Sequence, residues 1–421
     1  MGRRFGWLWT AYAISAYGSG FGFGALPLIA VVVLRASPAQ VSALSAVGPA
    51  VGALIAVPLA PWVEFHRKRP VMIAMDLTRF AVMATIPVAY AFGLLGFCQL
   101  LAVSAVVAAT RIAFNAASGA CLRDLVRPDD LLVANARFES TTWSSIAVGP
   151  PLGGAAIGLF GPITTVFADA LSYLFSALAI TAIRGREEQP PREEQPRKAD
   201  RNRVRAGDLL DGWRHLLSHP TLRALYLNNM LVTGLIMATE PLLAVLLLRQ
   251  HGFPPWQYGL AFAAPCLGGL AGSRLARRAV DRYGQHQVLR TAGTLRAVGL
   301  IGLVLVRPGV TGLLIVITAE LTIIIGMSLY NPVLATYRLE HTPGPRIART
   351  LAAWSIGQQA SIAVLTALGG VLADITSPHT ALTVAGLLIL ASPLLLPRRD
   401  NLPRHDNADR PSRNHIAAPH P

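Results

Sequence analysis

Runs of about twenty apolar residues, separated by short polar gaps, recur along the whole chain. Residues 7–33, 41–63, 71–92, 99–122, 141–160 and 163–183 are each long enough to cross about 30 Å of hydrocarbon at about 1.5 Å per helical residue. Six further runs follow at 225–248, 258–275, 288–306, 311–330, 351–374 and 381–396. A backbone in lipid must satisfy its own hydrogen bonds, so the pattern predicts helices throughout. The expectation is an all-α membrane protein with about twelve transmembrane helices.

Composition agrees: 53% hydrophobic and 14% charged residues over 421 positions is too apolar for an ordinary soluble chain. A net charge of +15 suits a nucleic-acid partner in a soluble protein, but the placement of the charges argues otherwise. With the N-terminus inside, the inner gaps hold Arg67, Lys68, Arg69, Arg123, Arg127, the basic run 184–214, Arg274, Arg277, Arg278, Arg282, Arg338, Arg346 and Arg349. The outer gaps hold only Arg35, Arg249 and Arg307. This asymmetry predicts a lipid-embedded protein with both termini cytoplasmic and no nucleic-acid partner. Arg3 and Arg4 precede an apolar run too long for a signal-peptide core, so the first segment is expected to remain as a helix. Cys98, Cys121 and Cys266 lack metal or redox spacing and read as packing residues.

The chain also repeats itself. Arg69, Val71 and Arg79 align with His286, Val288 and Arg296 at an offset of 217, which also pairs Glu64 with Asp281. Phe114 and Asn115 align with Tyr330 and Asn331, and Gly153 and Gly154 with Gly369 and Gly370, at 216. Two stretches sharing nearly one displacement imply a duplicated six-helix unit, with any substrate site between the halves near mid-membrane. The expected domains are an N-terminal bundle over 1–183, a linker over 184–220, a C-terminal bundle over 221–397 and a disordered tail over 398–421. Within the linker, the tandem polar repeat from Arg186 to Pro196 has nothing to bury. Leu209, Leu210, Trp213, Leu216 and Leu217 then share one helical face opposite Asp211, Arg214 and His215, with Asp208 placed to cap. That is the pattern of a helix lying in the membrane interface, or of a short soluble linker helix.

Two motifs carry a family resemblance. Ala60, Glu64, Arg67, Arg69, Pro70 and Val71, with Asp76 and Arg79 following, resemble the loop between helices two and three of major facilitator superfamily transporters. Ala60 and Arg67 stand where that family has glycines, Glu64 for its aspartate and Phe65 for its first arginine. The second copy, Asp281, Arg282 and Gly284, keeps the acid, the arginine and a glycine. A carboxylate at such a turn can bond an opposing helix N-terminus or pair with arginines across the halves, contacts that close one side in one conformation. The second motif, Gly149, Pro150, Pro151, Gly153 and Gly154 in the fifth span, resembles the antiporter signature associated with exporters of that superfamily, Ser145 standing for its leading glycine. Gly149 and Gly153 share a face, which is expected to admit a helix of the other half, and the prolines bend the helix. Gly18, Gly20, Gly22 and Gly24 before Pro27 predict tight packing and bending in the first span. Phe114 to Ala117 and Ala134 to Arg137 are similar to the bacterial branch that includes macrolide exporters and the enterobactin exporter.

Charges inside the spans are costly in lipid and are the candidate functional groups. Asp76 and Arg79, three residues apart near the inner end of the third span, are placed for a local pair and a gating role. Arg111 lies deeper, where the superfamily often has an arginine linked to proton coupling. Glu320 is expected near mid-membrane, Glu240 toward the outer half beside Pro241, and both as proton carriers, since burial favours the neutral carboxyl. Asp169 reads as structural. Lys68 and Lys198 are the only lysines and neither follows a phosphate-loop pattern, and neither a zinc-protease nor a nucleophile-elbow motif is present, so the reading is not an enzyme and takes no cofactor or metal. The resemblance implies the major facilitator fold, two pseudo-symmetric six-helix bundles in a bacterial inner membrane. It further implies a monomeric secondary exporter of a small amphipathic organic molecule, driven by protons. A nutrient importer on the same fold and a transport-inactive sensor or assembly protein are the alternatives.

Overall fold

The computed structural model describes residues 2–22, 24–64, 66–127, 130–183, 206–343 and 346–396. Thirteen helices account for these residues. In the first half they are α1 (Arg3–Phe21, continued by Ala25–Leu28 and a π-helical Ile29–Val33), α2 (Pro38–Glu64), α3 (Lys68–Ala91), α4 (Phe97–Leu125), α5 (Leu131–Phe160) and α6 (Pro162–Thr181). A short α7 (Ala206–Ser218) precedes the second half, which holds α8 (Pro220–Ala244, continued by a π-helical Val245–Gln250), α9 (Pro255–Tyr283), α10 (Gln285–Gly302), α11 (Val310–Glu340), α12 (Ile347–Ile375) and α13 (Pro378–Ala391). Ten of the twelve long helices are apolar and long enough to cross a membrane among the described residues. The remaining two, α5 and α9, pack against each other across the halves.

The fold agrees with the duplication. The π-helical ends of α1 and α8 begin at Ile29 and Val245, an offset of 216, and they touch each other. Several helices overrun their apolar stretches: α5 starts at Leu131 and α11 runs on to Glu340. A helix satisfies its backbone within itself, so it needs no change of structure where the chain leaves the hydrocarbon. Local signals set some starts. Gly161 takes a φ of 83° ahead of Pro162, and Ser377 accepts the Thr380 backbone N–H at 3.0 Å ahead of Pro378.

The apolar packing divides in a way that defines the conformation. At the end carrying Phe5 and Leu396 each half has its own cluster, built on Phe5, Met72, Phe114 and Leu122 in one half and on Leu216, Leu222, Tyr330 and Trp354 in the other. At the opposite end one cluster is shared, joining Ile29, Val41 and Leu100 to Leu243, Leu246 and Leu382. There the Arg249 guanidinium also donates to the Ala36 carbonyl at 3.1 Å. Among the described residues, the apolar cluster shared by the halves lies at the end away from Phe5 and Leu396.

In α7, Leu216 is buried, Trp213 packs beside it and Gly212 lies against the Arg349 backbone, while Leu210 and Leu217 stay exposed. The helix begins at Ala206, so Asp208 falls within its first turn and not at its cap. An exposed Arg349–Asp211 pair at 3.6 Å fixes it to α12. The tandem repeat and the tail lie outside the described residues.

Candidate functional site

A cavity of about 630 Å³ lies between the halves. Its two walls differ in chemistry. The N-terminal wall is polar and cationic, with Arg79, Arg111, Asn115, Ser19 and Thr142 among its residues. The C-terminal wall is apolar, with Ile236, Met237, Phe262 and Met327, and carries two acids, Glu240 and Glu320. The three residues singled out for proton coupling, Glu320, Glu240 and Arg111, thus line one cavity. Neither glutamate has a salt bridge or hydrogen bond among the described residues. The two lie close enough to feel each other's charge, and buried Tyr258 senses both. Pro241 withholds a backbone donor one residue after Glu240, and the helix turns π-helical from Val245.

Beside the cavity, Arg79 and Asp76 form a fully buried pair on α3 at 2.5 Å. Ser176 donates to the second Asp76 oxygen at 2.6 Å, and Arg79 reaches Ser15 at 3.4 Å. The guanidinium sits 4.6 Å from the ring centres of both Phe114 and Tyr173. The three-residue spacing gives the local pair expected of it, and its hydrogen bonds among the described residues all stay within its own half.

The second half repeats this arrangement with different chemistry. Arg296 is fully buried, 3.7 Å from the ring centre of Tyr330, and donates to Asn228 at 2.6 Å and Asn229 at 3.4 Å. Asn228 in turn donates to the Ser392 carbonyl at 2.7 Å. Arg79 with Phe114 and Arg296 with Tyr330 are the pairs matched by the repeat. The sequence reading matched them without placing Arg296 and Asn228 among the site residues; a charge eleven residues into the span α10, opposite an Asn-Asn pair in α8, was the available signal.

The glycines of α5 have other partners than expected. A side chain at Gly149 would meet the Gly20 backbone, and one at Gly153 the Phe21 carbonyl, both on α1 of the same half. Gly154 is the residue that faces the other half, against Pro255 and Gly259 of α9. Residues four apart share a face, but that face turns inward to the partner within the bundle. Pro150 lies between the two contact glycines on the same helix, its side chain outside the description. The bend predicted in α1 falls at Gly24, whose φ is 75°.

Arg69 donates to the Ile183 carbonyl at 3.1 Å, within the N-terminal half. Asp281 and Arg282 are exposed, Arg282 resting over Tyr283 at 5.6 Å. The Glu64 side chain lies outside the described residues. The open end of the bundle is the end where these residues sit.

Comparison with known proteins agrees with this architecture. The multidrug efflux pump Tap of Mycobacterium tuberculosis is 27% identical over 341 residues, covering 79% of this chain and 78% of that protein. Tap of Mycolicibacterium fortuitum is 28% identical over 352 residues, covering 80% and 82%. Among solved structures, the nucleoside transporter NupG superposes with a TM-score of 0.74 at 10% identity, covering 94% of this chain and 99% of that one, a likeness of fold. The sequence model of the Major Facilitator Superfamily matches residues 8–330 and again 237–419, and the chain belongs to that superfamily of multi-pass membrane transporters.

Proposed function

We propose that this chain exports a small amphipathic organic molecule by proton antiport, as a monomer in a bacterial inner membrane with both termini cytoplasmic. The observation that carries the reading is the cavity, an apolar wall bearing Glu240 and Glu320 opposite a wall bearing Arg111. An apolar lining with few polar groups suits varied ligands, and two unpaired carboxylates suit a positively charged one. The efflux-pump names of the Tap relatives support the direction of transport. No cofactor, covalent chemistry or nucleic-acid partner enters this reading.

In the state described, the shared cluster closes the outer end and the cavity opens toward the cytoplasm. A cationic substrate enters and takes the charge of the two glutamates. Protons arriving once the outer end opens replace it, since a neutral carboxyl holds a cation poorly. Opening must separate α5 from α9 at Gly154 and α2 from α12 at Gly370, while the inner loops around Glu64, Arg69, Asp281 and Arg282 come together. Asp76 and Arg79 brace α3 behind that loop.

The test is efflux of a lipophilic cationic dye from cells expressing the chain, with and without a protonophore. Faster dye loss that the protonophore abolishes is expected. Dye accumulation driven inward would make the chain an importer, and no change in dye content at verified membrane insertion would leave the sensor or assembly reading.

A further inference from the structure

The N-terminal half holds a carboxylate that the cavity mechanism does not use. Asp169 on α6 is 6% exposed, has no ion pair among the described residues, and its Oδ1 lacks a hydrogen-bond partner. It sits in a slot made by glycines of α1. A side chain at Gly22 would fall within 2.5 Å of its Oδ2, and one at Gly18 would meet Ser172 beside it.

The duplication supplies an internal control. At the positions repeating Asp76 and Asp169 the second half has Gly293 and Ala385, at offsets of 217 and 216. There Arg296 stays buried on neutral partners, two asparagine oxygens and the Tyr330 ring. A buried arginine in this fold therefore needs no carboxylate to hold it. The first half places two carboxylates around one arginine, and Asp76 already takes the pair with Arg79. Asp169 is the negative charge in excess, and an unpaired buried charge is costly unless it carries a proton.

A route joins it to the cavity. Ser19 lines the cavity and its hydroxyl lies 2.9 Å from that of Tyr173. Tyr173 lies one turn along α6 from Asp169, and both are buried on the same face. We propose that Asp169 is a second proton-carrying carboxylate, served from the cavity through the hydroxyls of Ser19 and Tyr173. A proton from cavity water passes to Ser19 Oγ as the serine proton moves to Tyr173 Oη and the tyrosine proton moves to Asp169. Release runs the same steps backward. The charged and titratable groups facing the site are Arg79 and Asp76 from α3, Tyr173 from α6 itself and Arg111 from α4, which reaches Tyr173 electrostatically. From α1 the site meets Gly18 and Gly22; Arg79 acts on the Asp169 carboxylate itself and Arg111 on Tyr173.

This inference rests on the proton-coupled reading and is tested beside it, with purified protein in liposomes, ethidium as the probe and a pH gradient as the drive. In D169N, gradient-driven transport is expected to fall about tenfold or more, in the range of a lost proton-transfer group, with ethidium affinity at fixed pH unchanged. The infrared carbonyl band of a protonated carboxylic acid should diminish in D169N and persist in E240Q. Y173F keeps the ring over Arg79 and removes the hydroxyl, so transport should slow while the band remains. Full gradient-driven transport in D169N, or an undiminished band, overturns the inference alone. Wild-type transport that ignores the gradient overturns the coupling reading and this inference with it. If D169N does not insert, Y173F decides, and a wild-type rate in Y173F overturns the route.

Discussion

Glu240 and Glu320 form no salt bridge among the described residues and line the cavity, so a cation entering it is placed to meet them. Glutamine at either position imitates the protonated carboxyl. If that glutamate carries the transported proton, gradient-driven efflux is expected to fall by about a hundredfold, while substrate binding at equilibrium survives and loses its pH sensitivity. Binding lost together with transport would instead assign the residue to substrate contact. Arg111 is exposed to the same cavity; R111A removes a cation that favours nearby carboxylates in their charged form, so the pH optimum of efflux should move upward. R111K keeps the charge without the guanidinium fork, and rescue by it would identify the effect as electrostatic. All three residues were legible in the sequence because a charge inside an apolar run stands out. What the sequence withheld was direction. Asp169 and Arg296 are also charges inside spans, but the pattern does not say that one faces a glycine slot and the other an asparagine pair.

At the scale of elements, α5 shows how far a face can be read. Gly149, Gly153 and Gly154 were visible as a small-residue helix, whereas the partner of each depends on the rotation of α5 in its bundle, which no local spacing encodes. G153L places a side chain against the Phe21 carbonyl and should cost about 1–3 kcal/mol of stability within the N-terminal bundle. G154L places one between the halves, so it should leave thermal stability nearly unchanged and impair closure of the outer end, read as lost efflux at equal expression. Equal losses of stability in both variants would refute this division of labour. The junction of α7 and α8 makes a pH prediction. His219 caps α8 by accepting the Leu222 backbone N–H at 3.4 Å, which requires a neutral ring. Burial, then His341 and His215, holds its pKa below the usual 6.5. The unfolded chain therefore takes up the proton first, and the contribution of this cap is complete above about pH 6.5 and lost as the pH falls through that value to the lower folded one. H219N keeps a cap without the titration, so thermal unfolding between pH 7 and 5 should flatten relative to wild type, and H219A should cost about 0.5–2 kcal/mol at neutral pH.

At the scale of the molecule, the division of the apolar clusters makes the alternation testable with a cysteine the chain already has. Cys266 lines the cavity, whereas Cys98 is exposed at the start of α4 and Cys121 is buried. With C98S and C121S in place, Cys266 reports which side of the membrane the cavity opens to. Position 370 of α12 lies against Ser42 of α2 at the closed end, so cysteines introduced at Ser42 and Gly370 are placed to cross-link the halves there. Such a bond forbids the outer end to open, because a packed interface moves between discrete arrangements and does not stretch. Oxidation should stop transport and a reductant should restore it. In the cross-linked protein, a membrane-impermeant thiol reagent should label Cys266 in inside-out vesicles and leave it untouched in intact cells. Before oxidation, added substrate should raise labelling from the outside as the outward-open state becomes populated. Labelling of Cys266 from outside in the cross-linked protein would overturn either the orientation drawn from the arginine bias or the closed end drawn from the shared cluster, since either error alone exchanges the two compartments.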